Sequence, residues 1–275
     1  MNSITSIIKR YPQVTFWVIA ISTFFLGVML FGEMGLFAIY FVALGGLFVT
    51  AVVDGRRGVK TYLSRIVRWR VGIQWYAVAL FLPAVLYLVG AGLNILSGAK
   101  LATNIQWPPL SEVAIGFLWP GLLGIALGEE PGFRGFALPR LLDGRRTAIT
   151  AALILGVLHA VWHIPVIIHD GTIGMISTIL IVISGSVIYT WMFNHTNGSV
   201  LMAMLLHVGI DVASGDVGVL KHLFTGADLE RQVIWQTVAF VVFAILLPIL
   251  AGRELGRKPE ATPETKVVEQ PLMAD

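Results

Sequence analysis

Apolar runs about 20 residues long recur along this chain, each closed off by a short cluster of charges. A helix of that length rises about 30 Å, the thickness of a bilayer's hydrocarbon core. Eight such spans are predicted: 13–32, 34–53, 72–96, 111–130, 147–168, 172–193, 198–213 and 233–251. Only 13% of the 275 residues are charged, 56% are hydrophobic, and mean hydropathy is +0.82. A soluble fold carries about 25% charge, so these values exclude a typical soluble enzyme and a disordered or fibrous chain. The fold class predicted is an all-α, polytopic transmembrane helix bundle. Lys9 and Arg10 precede the first span, as in a secretory signal. The run is too long for one and no small-x-small site follows, so a retained anchor is expected.

Charge sets orientation. Of the 19 basic residues, all but Lys100, Lys221 and Arg231 fall in loops on one side of this layout. The positive-inside rule makes that side cytoplasmic, with both termini there. A multi-pass protein of a bacterial plasma membrane is expected. The net charge of +3 and pI near 9.3 then reflect topology and not nucleic acid, since no basic stretch is interleaved with aromatics. The stretch 56–70 reads as a cytoplasmic surface or an anionic-lipid contact. There is no cysteine, hence no disulfide, thiolate nucleophile or Cys-ligated metal. Four regions are expected: N-terminal helices with a basic loop (1–110), a core (111–213), a last loop and helix (214–251) and a disordered tail (252–275).

An ionisable group at the centre of a span costs about 2.5–3.5 kcal/mol, so each one is a functional hypothesis. Here they are Glu129, Glu130, Arg134, His159, His163, His207 and Asp211, on spans four, five and seven or at their ends. Glu130 and Arg134 are i,i+4 and can pair, as are His159 and His163, and His207 and Asp211. Glu129 lies about 100° round the helix from Glu130, so only one of the two is expected to point fully into a cavity. If span four ended at Glu129, that carboxylate would lie at the surface. His163 would be about 24 Å deep and His207 about 13 Å. The groups meet only if span four continues through Phe133, Phe136 and Leu138, with a kink at Pro131-Gly132. One polar chamber, open to the cytoplasm, is expected. A Glu129 carboxylate more than about 12 Å, or eight helical residues of rise, from both His163 and His207 would exclude it. Gly121, Gly124 and Gly128 are expected to let helices approach closely. Asn194 is expected to pin the start of span seven. His169, His195 and His222 are expected in loops and solvated.

Glu129-Glu130-Pro131-Gly132-Phe133-Arg134-Gly135 resembles an EExxxR motif. His163, in His159-Ala-Val-Trp-His163-Ile-Pro165, resembles an FxxxH element. Asn194 to Ser199 followed by His207-Val-Gly-Ile-Asp211 resembles an NxTxGS…HxxxN/D ending. Together they resemble the CPBP intramembrane metalloproteases: CAAX prenyl endopeptidases and the bacteriocin-immunity relatives called the ABI family. The resemblance covers about residues 110–213. It implies an intramembrane endopeptidase that hydrolyses a peptide bond of a membrane-associated, CAAX-like or lipidated, protein or peptide arriving from the cytoplasmic side. Glu129 and His163 would activate water, His207 would face the oxyanion, and Glu130 and Arg134 would give structural support. Two departures stand out. His159 replaces the Phe and is expected to be a hydrogen-bonded interhelical histidine. Asp211 stands where Asn is frequent. An ionised carboxylate donates no hydrogen bond, so Asp211 would orient His207 or help hold a cation. Zn2+ on His163 and His207 and a metal-free site both remain open, because HExxH spacing is absent. A proton-coupled transporter and a non-catalytic immunity or scaffold protein of the same fold are the alternatives. Against the transporter, the polar groups sit in one half of the chain and no repeat is visible.

Overall fold

The computed structural model describes residues 3–143, 146–214 and 218–257. Among them there are helices and no strands. An amphipathic helix, α1 (Ser3–Arg10), precedes α2 (Pro12–Phe31), α3 (Tyr40–Ile66), α4 (Ile73–Leu96), α5 (Leu110–Leu142), α6 (Ala148–Ile167), α7 (Gly171–His195), α8 (Val200–Ser214) and α9 (Gly226–Ala251). Seven helical segments are long and apolar enough to cross a membrane, the one ending in α3 beginning at Gly35. The eighth, α8, has 15 residues and rises only about 22 Å. It packs against α4 and α5 and is buried along most of its length, so its neighbours, and not lipid, set its length. Large apolar side chains such as Val18, Leu88, Val157 and Leu250 remain exposed, as a lipid-facing belt requires.

The fourth span runs on to Leu142 instead of stopping near 130. Its backbone leaves helical geometry at Trp119 (φ −145°, ψ 117°), where the following Pro120 favours an extended residue. No such break occurs at Pro131, whose φ of −58° and ψ of −40° are helical. From Pro131 to Ala137 the helix is π-helical, a widening of the kind that accompanies bends at prolines. Residues 128–139 are buried without exception.

Along α5, close approach is tightest at Gly132, where a Cβ would sit 2.4 Å from the Val42 carbonyl oxygen of α3. Gly128 and Gly121 are also crowded, by Ile39 and by Gly116 and Val208, whereas Gly124 has only an ordinary contact with Pro120. Gly132→Ala should therefore push α3 off α5. A loss of about 1–3 kcal/mol is expected, as for an overpacked core, measured by unfolding in detergent. Gly124→Ala should change little. Equal stability of the two variants would refute this reading.

The two ends of the bundle differ in charge. At one end, Arg65 Nη1 donates to Gly135 O (3.2 Å), Ser199 Oγ to Arg68 O (2.6 Å) and Arg257 Nη1 to Leu142 O (2.6 Å), and Arg140 pairs with Asp54. At the other, the Lys100 backbone N–H donates to Asp228 Oδ2 (3.0 Å) and Arg231 pairs with Asp228. The first six residues of the expected tail depart from expectation. Residues 252–257 form a docked turn, with Leu255 fully buried and Ile149 N donating to Arg253 O (3.0 Å). Asn194 pins this turn, not the start of α8: its Nδ2 donates to the Glu254 and Leu255 carbonyls, both at 3.2 Å. Ser199 caps α8, accepting from Met202 N (3.3 Å). His195 packs against Trp75 and Trp191. Residues 258–275, and with them most of the predicted disordered tail, lie outside the described residues, as does Arg145.

Candidate active site

Two π-helical stretches of α5, Phe117–Ala126 and Pro131–Ala137, flank one ordinary turn, Leu127–Glu130, that carries both carboxylates. Such widened turns frequently occur at functional sites. Glu129 is 3% exposed and Glu130 0%. The expectation that only one would point inward fails for a definite reason. α5 is enclosed on all sides here, so carboxylates about 100° apart meet two different neighbours, both inside the bundle.

Glu129 faces α6. Its Oε2 lies 3.4 Å from His159 Nε2. His163, one turn further along α6, places Nδ1 3.0 Å from the His159 carbonyl oxygen. Only an N–H can donate there, so the proton is on Nδ1 and Nε2 is the bare nitrogen. Behind them stands an aromatic wall. Phe133 lies 4.1 Å from the His159 ring and 5.6 Å from Trp162, and Trp162 stacks on Phe24 at 3.9 Å. Trp162 Nε1 donates to Ala20 O (3.1 Å).

Glu130 faces α8. Its Oε1 accepts from Arg134 Nη1 (2.9 Å) and His207 Nδ1 (2.7 Å). Arg134 is 1% exposed, and its guanidinium lies 3.9 Å from the Tyr189 ring centroid and 3.5 Å from Ser186 Oγ, both on α7. The expected Glu130–Arg134 pair is therefore present, and it also carries His207. Asp211 Oδ2 is 3.8 Å from His207 Nε2, too long for a hydrogen bond.

Glu129 thus lies near both His163 and His207. Two sets, Glu129–His159–His163 and Glu129–Glu130–His207, each bring their ligand-type atoms within 4.8 Å of one another, far inside the 12 Å limit. Asp211 is in neither set, and His163 and His207 fall in different sets. The first set fits a divalent metal: one carboxylate, two imidazoles, and in His159 a buried ring whose Nδ1 has no hydrogen-bond partner. The second fits poorly, because Glu130 is already committed to Arg134. His159 is the residue that sequence reasoning left out of the site. Its i,i+4 spacing from His163 was the available signal.

Toward the basic end, a cavity is lined by Tyr62, Arg65, Gly135 and Pro139 and by none of the buried carboxylates or imidazoles. On that side of Glu130, Phe133, Phe136, Ala137 and Leu138 are fully buried. Exposure rises the other way along α8, with the His207 side chain at 14% and Asp211 at 22%. Because the chain lacks cysteine, single cysteines can test this. In membrane vesicles, Asp211→Cys should react with an impermeant maleimide from the side opposite the basic loops. Ala137→Cys should react from neither side. Labelling of Ala137→Cys from the basic side would refute the sealed end.

Fold and site together define a polytopic membrane protein with a carboxylate–imidazole cluster closed inside its helices. Residues 111–213, which span α5 to α8, match the family described as Rce1-like, type II CAAX prenyl endopeptidase Rce1-like. No curated protein matches the chain.

Proposed function

We propose that the chain is an intramembrane endopeptidase that hydrolyses a peptide bond of a membrane-associated protein or peptide, with the CAAX-like lipidated class as the first to assay. The observation that carries this reading is Glu129, buried at 3% exposure yet within 4.8 Å of imidazole nitrogens from two other helices. Hydrolysis needs a base for water and donors for the oxyanion. Glu129 Oε2 faces His159, which leaves Oε1 to take the proton from water, with the bare Nε2 of His163 holding the same water. His207 has its Nδ1–H committed to Glu130, so its other nitrogen faces the developing oxyanion. To donate from Nε2 the ring carries a second proton, and Glu130 and Asp211 are the carboxylates that balance its charge. Arg134 in turn fixes Glu130. A divalent metal held by Glu129, His159 and His163 would supply Lewis acidity and a more acidic water.

The substrate reaches the site from the end at which His207 and Asp211 are exposed. With the basic end cytoplasmic by the positive-inside rule, that entrance is on the opposite face or lateral, in place of the cytoplasmic entry expected above. The test is cleavage by the purified full chain of a panel of lipidated and unlipidated peptides, scored by mass spectrometry with and without chelator. Cleavage that is lost in His207→Ala supports the reading. Absence of cleavage across the panel, with proton-coupled uptake in vesicles, would replace it by the transporter.

A further inference from the structure

The structure puts His159 in the site and not beside it, its side chain grouped with Glu129 and His163. Its ring is 5% exposed. Its single side-chain polar contact is slack, 3.4 Å to Glu129, and its Nδ1 has no hydrogen-bond partner. A buried imidazole this poorly satisfied calls for an explanation. His163 supplies one. The two rings stand one helical turn apart on the same face, with centroids at 4.6 Å, which is the i,i+4 placement by which two histidines of a helix share an ion. His163 donates Nδ1–H to a backbone carbonyl, the outer contact that in metal sites fixes the ring and leaves Nε2 as the ligand atom. Glu129 closes the third side from α5, all three ligand atoms lying within 4.8 Å of one another.

From this we infer that Glu129, His159 and His163 form a binding site for a divalent transition-metal ion, with His207 outside the ligand set. Two imidazoles and a carboxylate with a position left open are the donor set of many catalytic zinc sites. Softer, thiolate-preferring ions have no partner here, since the chain has no cysteine. The inference deepens the hydrolase reading but is tested apart from it.

The full chain in detergent is stripped with chelator and titrated with Zn2+ and with Co2+, following binding by calorimetry and by the Co2+ absorption spectrum. One ion per chain is expected, with a metal-dependent rise in Tm. His159→Phe should weaken binding by more than about 100-fold, since loss of an outer-shell partner alone costs 10–100-fold, and should abolish the Tm rise. Its metal-free Tm should match wild type, because Phe packs on Phe133 as the imidazole does. His163→Gln should lose binding likewise, and His207→Phe should retain it. Wild type that binds no ion, or unchanged binding in His159→Phe or His163→Gln, overturns the proposal. Peptide cleavage is scored on the same samples. Metal binding without any cleavage sinks the hydrolase and keeps the metal site, whereas cleavage by a wild type that binds no metal does the reverse.

Discussion

Glu129→Gln should lower kcat/KM for peptide cleavage by about 10²–10⁴-fold, the usual contribution of a positioned general base. The change is nearly isosteric and keeps an amide oxygen for the 3.4 Å contact with His159, so the loss would be chemical and not structural. Thermal unfolding close to that of wild type is the control. Glu130→Gln should be separable from it. That carboxylate is tied to Arg134 and His207, so its loss should reach catalysis through the placement of His207. Cleavage by Glu129→Gln within tenfold of wild type would move the base to another residue.

The second large effect concerns stability. Arg134→Ala should destabilise the bundle by about 3–5 kcal/mol, because removing one partner leaves the other charge buried and uncompensated. Both ends of this pair are essentially unexposed, at 1% and 0%. The guanidinium also fills the space against Tyr189 and Phe133, so packing is lost along with charge. Arg134→Met combined with Glu130→Gln should recover much of the loss, since two neutral groups of similar volume need no counter-charge. Denaturant unfolding in detergent measures both. A double variant as unstable as Arg134→Ala would show that packing against Tyr189, and not charge, dominates.

The i,i+4 spacings were legible in the chain itself. Glu130–Arg134 is a pair in the structure, and His159 and His163 share a face, because within one helix the rotation per residue is nearly constant. Less legible were the features set by crossing helices. Pro131 looked like a kink because a proline removes a donor. In the structure it opens a π-helical turn, with α3 lying against Gly132 at a distance no side chain permits. Asn194 looked like a helix cap, yet its amide reaches Glu254 and Leu255, about 60 residues away. The docking of residues 252–257 was invisible for the same reason, since a charged, glycine-containing stretch leading into a proline-rich tail reads as disordered wherever its partner is unknown.

By itself, then, the amino-acid sequence determined that the chain is a bundle of apolar helices and which few ionisable groups the bilayer should have excluded. Hydropathy is a property of each segment alone, and so is helical phase. Tertiary structure alone decided the neighbours: Glu129 toward His159 and His163, Glu130 toward Arg134 and His207, Asp211 at the rim, and Phe133, Phe136 and Leu138 buried toward the basic end. Phase states the angle at which a side chain leaves its own helix. Which helix lies opposite is set by how all the helices pack.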